Sequence, residues 1–192
     1  MIKKIISLTT VLMVMVVLVS GCAAEVAVKV ADEATPPAKP AASEEEAVEE
    51  GAFPGMRAYD FMLEDFEGNS VRLSDFQGKT VMLFFWASWC PYCGEQMTQM
   101  SRLYAELDPD RYVILGINLI EAEKNRDDAL NKIEEKQAEF INLMDAQSEV
   151  SLKYGARTIP LSVFIDPDGI ITASIVGPLD EGQIMAQFMG AN

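Results

Sequence analysis

The sequence contains no histidine. That absence excludes a Ser-His-Asp triad, a Cys-His protease and any imidazole-ligated metal site. Proton transfer must fall to carboxylates, lysine, tyrosine, thiols or water. Cysteine is scarce, with three in 192 residues: Cys22, Cys90 and Cys93. Cations are outnumbered, 15 Lys and Arg against 30 Asp and Glu, for a net charge of -15. Without clustered Lys and Arg, binding to a phosphate backbone is excluded, and no nucleic-acid partner is expected. The charge serves solubility. Long hydrophobic runs are absent apart from one near the N-terminus, so the chain is not a polytopic membrane protein. Hydrophobic residues make up 49% of it, enough for one packed domain.

The single apolar run sits in a recognisable order. Met1-Ile2-Lys3-Lys4 is a short basic start, Ile5 to Val19 is almost wholly apolar, and Ser20-Gly21 are small. This is the layout of a secretory signal, and the run is short for a membrane span. Val19-Ser20-Gly21-Cys22 resembles the lipobox of bacterial lipoproteins. The resemblance implies cleavage before Cys22, diacylglyceryl attachment to its sulfur, and anchoring in a bilayer by two or three acyl chains. Residues 1–21 are thus expected to be signal peptide. Residues 22–52, rich in Ala, Glu and Pro with few large apolar side chains, are expected to be a disordered acidic tether.

From Phe53 to residue 192 the pattern is that of a folded domain. Asp60–Glu64 and Val71–Leu73 read as strands around the turn Glu67-Gly68-Asn69. Thr80–Trp86 and Tyr112–Asn118 read as strands buried on both faces. Met97, Met100, Leu103, Tyr104 and Leu107 mark a helix that Pro109 ends. Further helices are expected over Lys124–Lys136, Ser148–Tyr154 and, capped by Asp180, up to Met189. Asp166-Pro167-Asp168-Gly169 joins two strands, Leu161–Ile165 and Ile170–Val176, as a hairpin. This order predicts an α/β fold with a central mixed sheet and helices on both faces.

Cys90 and Cys93 stand in the run Trp89-Cys90-Pro91-Tyr92-Cys93, past a buried strand and at a helix start. Disulfide exchange needs a thiolate, and the unpaired N–H groups of a helix N-terminus stabilise one. Cys90, nearer the exposed lip, is the expected attacking thiol; Cys93, one turn on, is the resolving thiol. Pro91 suits the first helical turn. A permanent staple is the weaker reading, because so short a loop restricts little chain entropy. Half a zinc site lacks partners, since the domain has no third cysteine and the chain no histidine. No metal and no cofactor is expected. The eleven methionines read as core filler and signal residues.

The domain resembles the thioredoxin superfamily, and within it the TlpA/ResA/DsbE-like group of extracytoplasmic thiol–disulfide oxidoreductases. The likeness rests on Asp60–Asp65, Leu73–Lys79, Phe85–Cys93, Gly116–Asn118, Tyr154–Pro160 and Phe164–Gly169. It implies a thioredoxin-like fold with an N-terminal β-hairpin extension. It also implies a cis bond at Ile159-Pro160 facing the cysteines, and a substrate surface formed by Trp89, Pro91, Tyr92, Ile159 and Pro160. Glu121, in Asn118-Leu119-Ile120-Glu121, matches the place where such proteins set an acidic residue near the cysteines, and is the expected proton handler. The chain departs from thioredoxins at Phe84, where they carry a buried Asp. The group implies a monomer on the extracytoplasmic face of a bacterial membrane. It would act on protein disulfides or thiols, as in cytochrome c maturation, with electrons from a membrane donor of the CcdA/DsbD kind. The alternatives are a peroxiredoxin-like thiol peroxidase, disfavoured by Ala87-Ser88-Trp89 before Cys90, and a lipid-anchored binding module with passive cysteines.

Overall fold

Two seven-residue runs form the centre of the molecule. In β5 (Thr80–Trp86) and β6 (Tyr112–Asn118) every residue is buried, because both sheet faces are covered. Side chains alternate between faces. Val81, Leu83 and Phe85 enter one core; Met82, Phe84 and Trp86 enter the other. The structure, a computed structural model, describes residues 48–191. The expectations for residues 1–21, for Cys22 and for the tether up to residue 47 lie outside the described residues.

Around this centre runs a seven-stranded mixed sheet. It contains β3 (Met62–Asp65), β4 (Ser70–Arg72), β7 (Ile141–Met144), β8 (Leu161–Ile165) and β9 (Ile171–Val176), in the order β4-β3-β7-β6-β5-β8-β9. β5, β6 and β7 are parallel, whereas β8 pairs antiparallel with β5, β9 with β8, and β3 with β7. The hairpin β3–β4 extends one edge, as the family resemblance implies. Its turn is held by Asp65, whose carboxylate accepts from the N–H groups of Glu67 and Asn69, both at 2.8 Å.

Helices cover both faces. α1 (Pro91–Tyr104) and α4 (Glu181–Gly190) pack Met97, Met100, Leu103, Ile184 and Phe188 into the core of Phe84 and Trp86, together with Ala129 of α2 (Arg126–Glu135). α3 (Glu149–Lys153) and Tyr154 close the opposite core with Phe61 and Leu73.

Several element ends differ from expectation. α1 stops at Tyr104; the next residues tighten into a turn on the Leu103 carbonyl, and Leu107 still packs on the core. α2 starts at Arg126 because Asn125 caps it, accepting from Asp128 N–H at 3.0 Å. Ser148 does not cap α3. Asp145 does, through the N–H groups of Val150 at 3.3 Å and Ser151 at 2.7 Å. Asp180 and Gln183 form the reciprocal cap of α4. Glu50–Gly51, within the residues expected as tether, form a short strand β1 parallel to β2 (Arg57–Ala58). Ordered pairing thus begins before Phe53, and Gly51 is buried.

Candidate active site

β5, β6 and β8 bring three segments to one end of the sheet: Trp86 pairs with Asn118, and Phe85 with Leu161. Helix α1 starts there. Cys90 is its N-cap, in extended conformation, and its sulfur accepts from the Cys93 N–H at 3.2 Å. Pro91 occupies the first turn, where its missing N–H leaves no bond unmade. Cys90 and Cys93 are joined as a disulfide, with Cα atoms 5.3 Å apart. Cys90 is 5% exposed and Cys93 0%. An outside nucleophile or disulfide therefore meets Cys90 first, while Cys93 is reached only through it.

The surroundings divide into an apolar rim and a polar clamp. Ile159-Pro160 is a cis peptide, and the Ile159 carbonyl oxygen lies 3.9 Å from the Cys90 sulfur. Pro160 is buried and Ile159 half-buried against both cores. Tyr92 and Trp89 stand out into solvent beside Cys90. Trp89 is not loose: its indole N–H donates to the Ala122 carbonyl at 2.9 Å. Trp86, fully buried, is core. Phe84 is likewise fully buried and puts no carboxyl behind the cysteines.

Glu121 bonds to the start of α3. It is exposed on a single 3-10 turn, Ile120–Ala122, and accepts from the Ser148 hydroxyl at 2.7 Å. The carboxylate that reaches the loop is Glu123, two residues on and half-buried. It accepts from the Ser88 N–H at 2.6 Å, from the Ser88 hydroxyl, and from the Asn118 amide at 2.8 Å. The Leu119 N–H adds a bond to the Trp86 carbonyl at 3.0 Å. Residues 119–123 thus clamp the segment that leads into Cys90.

Sequence reasoning also passed over Gln96. It is buried one turn past Cys93, donates to the Ser162 hydroxyl at 2.9 Å and accepts from the Leu179 N–H at 3.1 Å. Its only signal was polarity on an otherwise apolar helix stripe. Among the described residues no cluster of three or more Cys, Asp or Glu side chains is placed to hold a metal ion.

Residues 54–174 match the model of the AhpC/TSA family. The thiol-disulfide oxidoreductase ResA of Geobacillus thermodenitrificans is 34% identical over 131 residues, 68% of this chain and 73% of that protein. A putative thiol:disulfide interchange protein DsbE from Chlorobium tepidum superposes with a TM-score of 0.63 at 29% identity, covering 70% of this chain and 94% of that one. The exposed lipoprotein thioredoxin of Streptococcus pneumoniae does so at 0.59 and 29%, covering 69% and 99%. This chain therefore belongs to the AhpC/TSA family, as a thioredoxin-fold thiol–disulfide oxidoreductase with Cys90 and Cys93 as its CxxC pair.

Proposed function

We propose that the protein is a membrane-anchored reductase of protein disulfides, working outside the cytoplasm. The observation that carries the reaction order is the burial difference between the two sulfurs, with the Cys93 N–H aimed at Cys90. In the reduced protein the Cys90 thiolate attacks a substrate disulfide, forming a mixed disulfide and releasing one substrate thiolate. Cys93 then gives up its proton and attacks the Cys90 sulfur, releasing the second thiolate. The substrate gains two electrons, and the protein keeps the disulfide. Trp89, Pro91, Tyr92, Ile159 and Pro160 form the surface that meets the substrate.

Return to the dithiol needs a donor, because extracytoplasmic compartments are oxidising. A membrane dithiol protein of the CcdA/DsbD kind fills that role in this reading, and apocytochrome c disulfides are the natural substrate class. Anchoring rests on Cys22: the lipobox-like run supports it, as does the likeness to a pneumococcal lipoprotein thioredoxin. The signal then occupies residues 1–21, and a tether links Cys22 to β1. A peroxidase role finds less support, since Ala87-Ser88-Trp89 precedes Cys90 and its partner sulfur is only three residues away. Two experiments in cells test this reading. Cys93→Ala should trap substrates as mixed disulfides on Cys90, and radiolabelled palmitate should label the wild type but not Cys22→Ala. Absence of captured thiol proteins would contradict the reductase role. Equal labelling of the two chains would contradict the anchor.

A further inference from the structure

Three of the eight large apolar side chains exposed among the described residues gather at one groove. Phe53, Leu152 and Val176 are 70%, 64% and 61% exposed, and the groove between them measures about 460 Å3. One wall is β9, an outermost strand of the sheet. Among the described residues, the segment at Gly55 and Met56 bonds to that edge only at Ile171, and the stretch from Ala173 to Val176 has no strand beyond it. An open edge beside an apolar wall is the arrangement on which an extended peptide adds as a further strand.

The groove lies on the sheet face opposite the core of Cys90 and Cys93, and Ile159, packed against both cores, connects the two. Val176 pairs with Leu161, which follows Pro160, and the Ile159 carbonyl lies 3.9 Å from the Cys90 sulfur. Two extended residues cover about 7 Å along β8, and each step from strand to strand adds about 5 Å, so an occupant of several extended residues is needed to reach from Cys90 to the β9 edge. The rim carries Glu49 and Glu50 against Lys153, on a chain of net charge -15. That charge favours a cationic occupant and opposes a second copy of this chain or an anionic lipid surface.

We propose that the β9 edge and this groove dock the segment flanking the reactive cysteine of a substrate protein: an extended, apolar stretch carrying lysine or arginine. This rests on the oxidoreductase reading above and names the substrate class for it. The test is fluorescence anisotropy on the full-length protein. The probe is a labelled peptide that alternates valine and lysine after a serine standing in for the cysteine. Because no turnover is needed, the binding result is independent of catalysis; dithiothreitol-driven insulin reduction, run in parallel, reports on the parent reading. Wild type should bind at least about ten-fold more tightly than Val176→Asp or Phe53→Ser, a difference of about 1.4 kcal/mol. All three should reduce 5,5′-dithiobis(2-nitrobenzoate) equally. Equal peptide affinity in the three proteins would overturn the inference. So would a self-association, or a sedimentation with phosphatidylcholine vesicles, that Val176→Asp abolishes.

Discussion

Ser88 donates both its backbone N–H and its hydroxyl to the carboxylate of Glu123. Ser88 lies two residues before Cys90, so the clamp fixes the loop that aims the redox sulfur, and it sets a carboxylate on the backbone two residues from it. A like charge near a thiol disfavours the thiolate. Glu123→Gln should therefore shift the pH dependence of Cys90 alkylation by iodoacetamide to lower pH. It should also cost about 1–2 kcal/mol in urea unfolding, because one amide face must meet donors. Glu121→Gln should leave the alkylation profile unchanged. A reversed pattern would restore Glu121 to the site.

The two acids show where sequence legibility ended. Asn118 and the acidic stretch after it were visible as a motif near the cysteines. Which carboxylate turns inward depends on the single 3-10 turn at Ile120–Ala122, which has no sequence periodicity of its own. The buried strands β5 and β6 were legible to the residue, because uninterrupted apolar runs have one economical burial. β7 was harder: Ile141–Met144 is four residues long and holds a buried Asn142. The cap by Asp145 was missed because its side chain acts five and six residues ahead, beyond the usual capping spacing.

Gln96 ties α1 to β8 and to the segment before α4. Gln96→Leu should leave the Ser162 hydroxyl and the Leu179 N–H without their partner. The expected loss is about 1–3 kcal/mol in chemical denaturation. Unchanged stability would mean those partners rebond elsewhere.

Gly116, in the middle of β6, faces the buried Trp86 indole. A Cβ there would lie 2.6 Å from Asn142 Oδ1, 3.0 Å from Phe140 and 3.2 Å from Trp86 Nε1. Gly116→Ala should cost about 1–3 kcal/mol through overpacking. Trp86 fluorescence should shift with it, whereas Gly190→Ala, in α4 with open space at its Cβ, should leave the fluorescence unchanged and cost no stability.

Tyr154 gives stability a pH signature. Burial pushes its phenol pKa well above the ordinary value, and the charges of Asp60 and Glu50 push the same way. The folded state thus holds the proton more tightly than the unfolded chain, where the pKa is about 10. Its contribution is complete below pH ~10 and declines as pH rises above that. Tyr154→Phe removes the bond to the Tyr59 carbonyl at 2.8 Å, for about 1 kcal/mol at pH 7. The variant should also lose less stability than wild type between pH 9 and 11, as measured by urea unfolding.

In the proposed reaction, electrons run outward through Cys90 and Cys93 to substrate disulfides. Its most direct test is the equilibrium reduction potential of the pair against glutathione or dithiothreitol. The reductase account predicts a value close to that of thioredoxin, about −270 mV. A value near that of DsbA, about −120 mV, would make the protein an oxidant and contradict it.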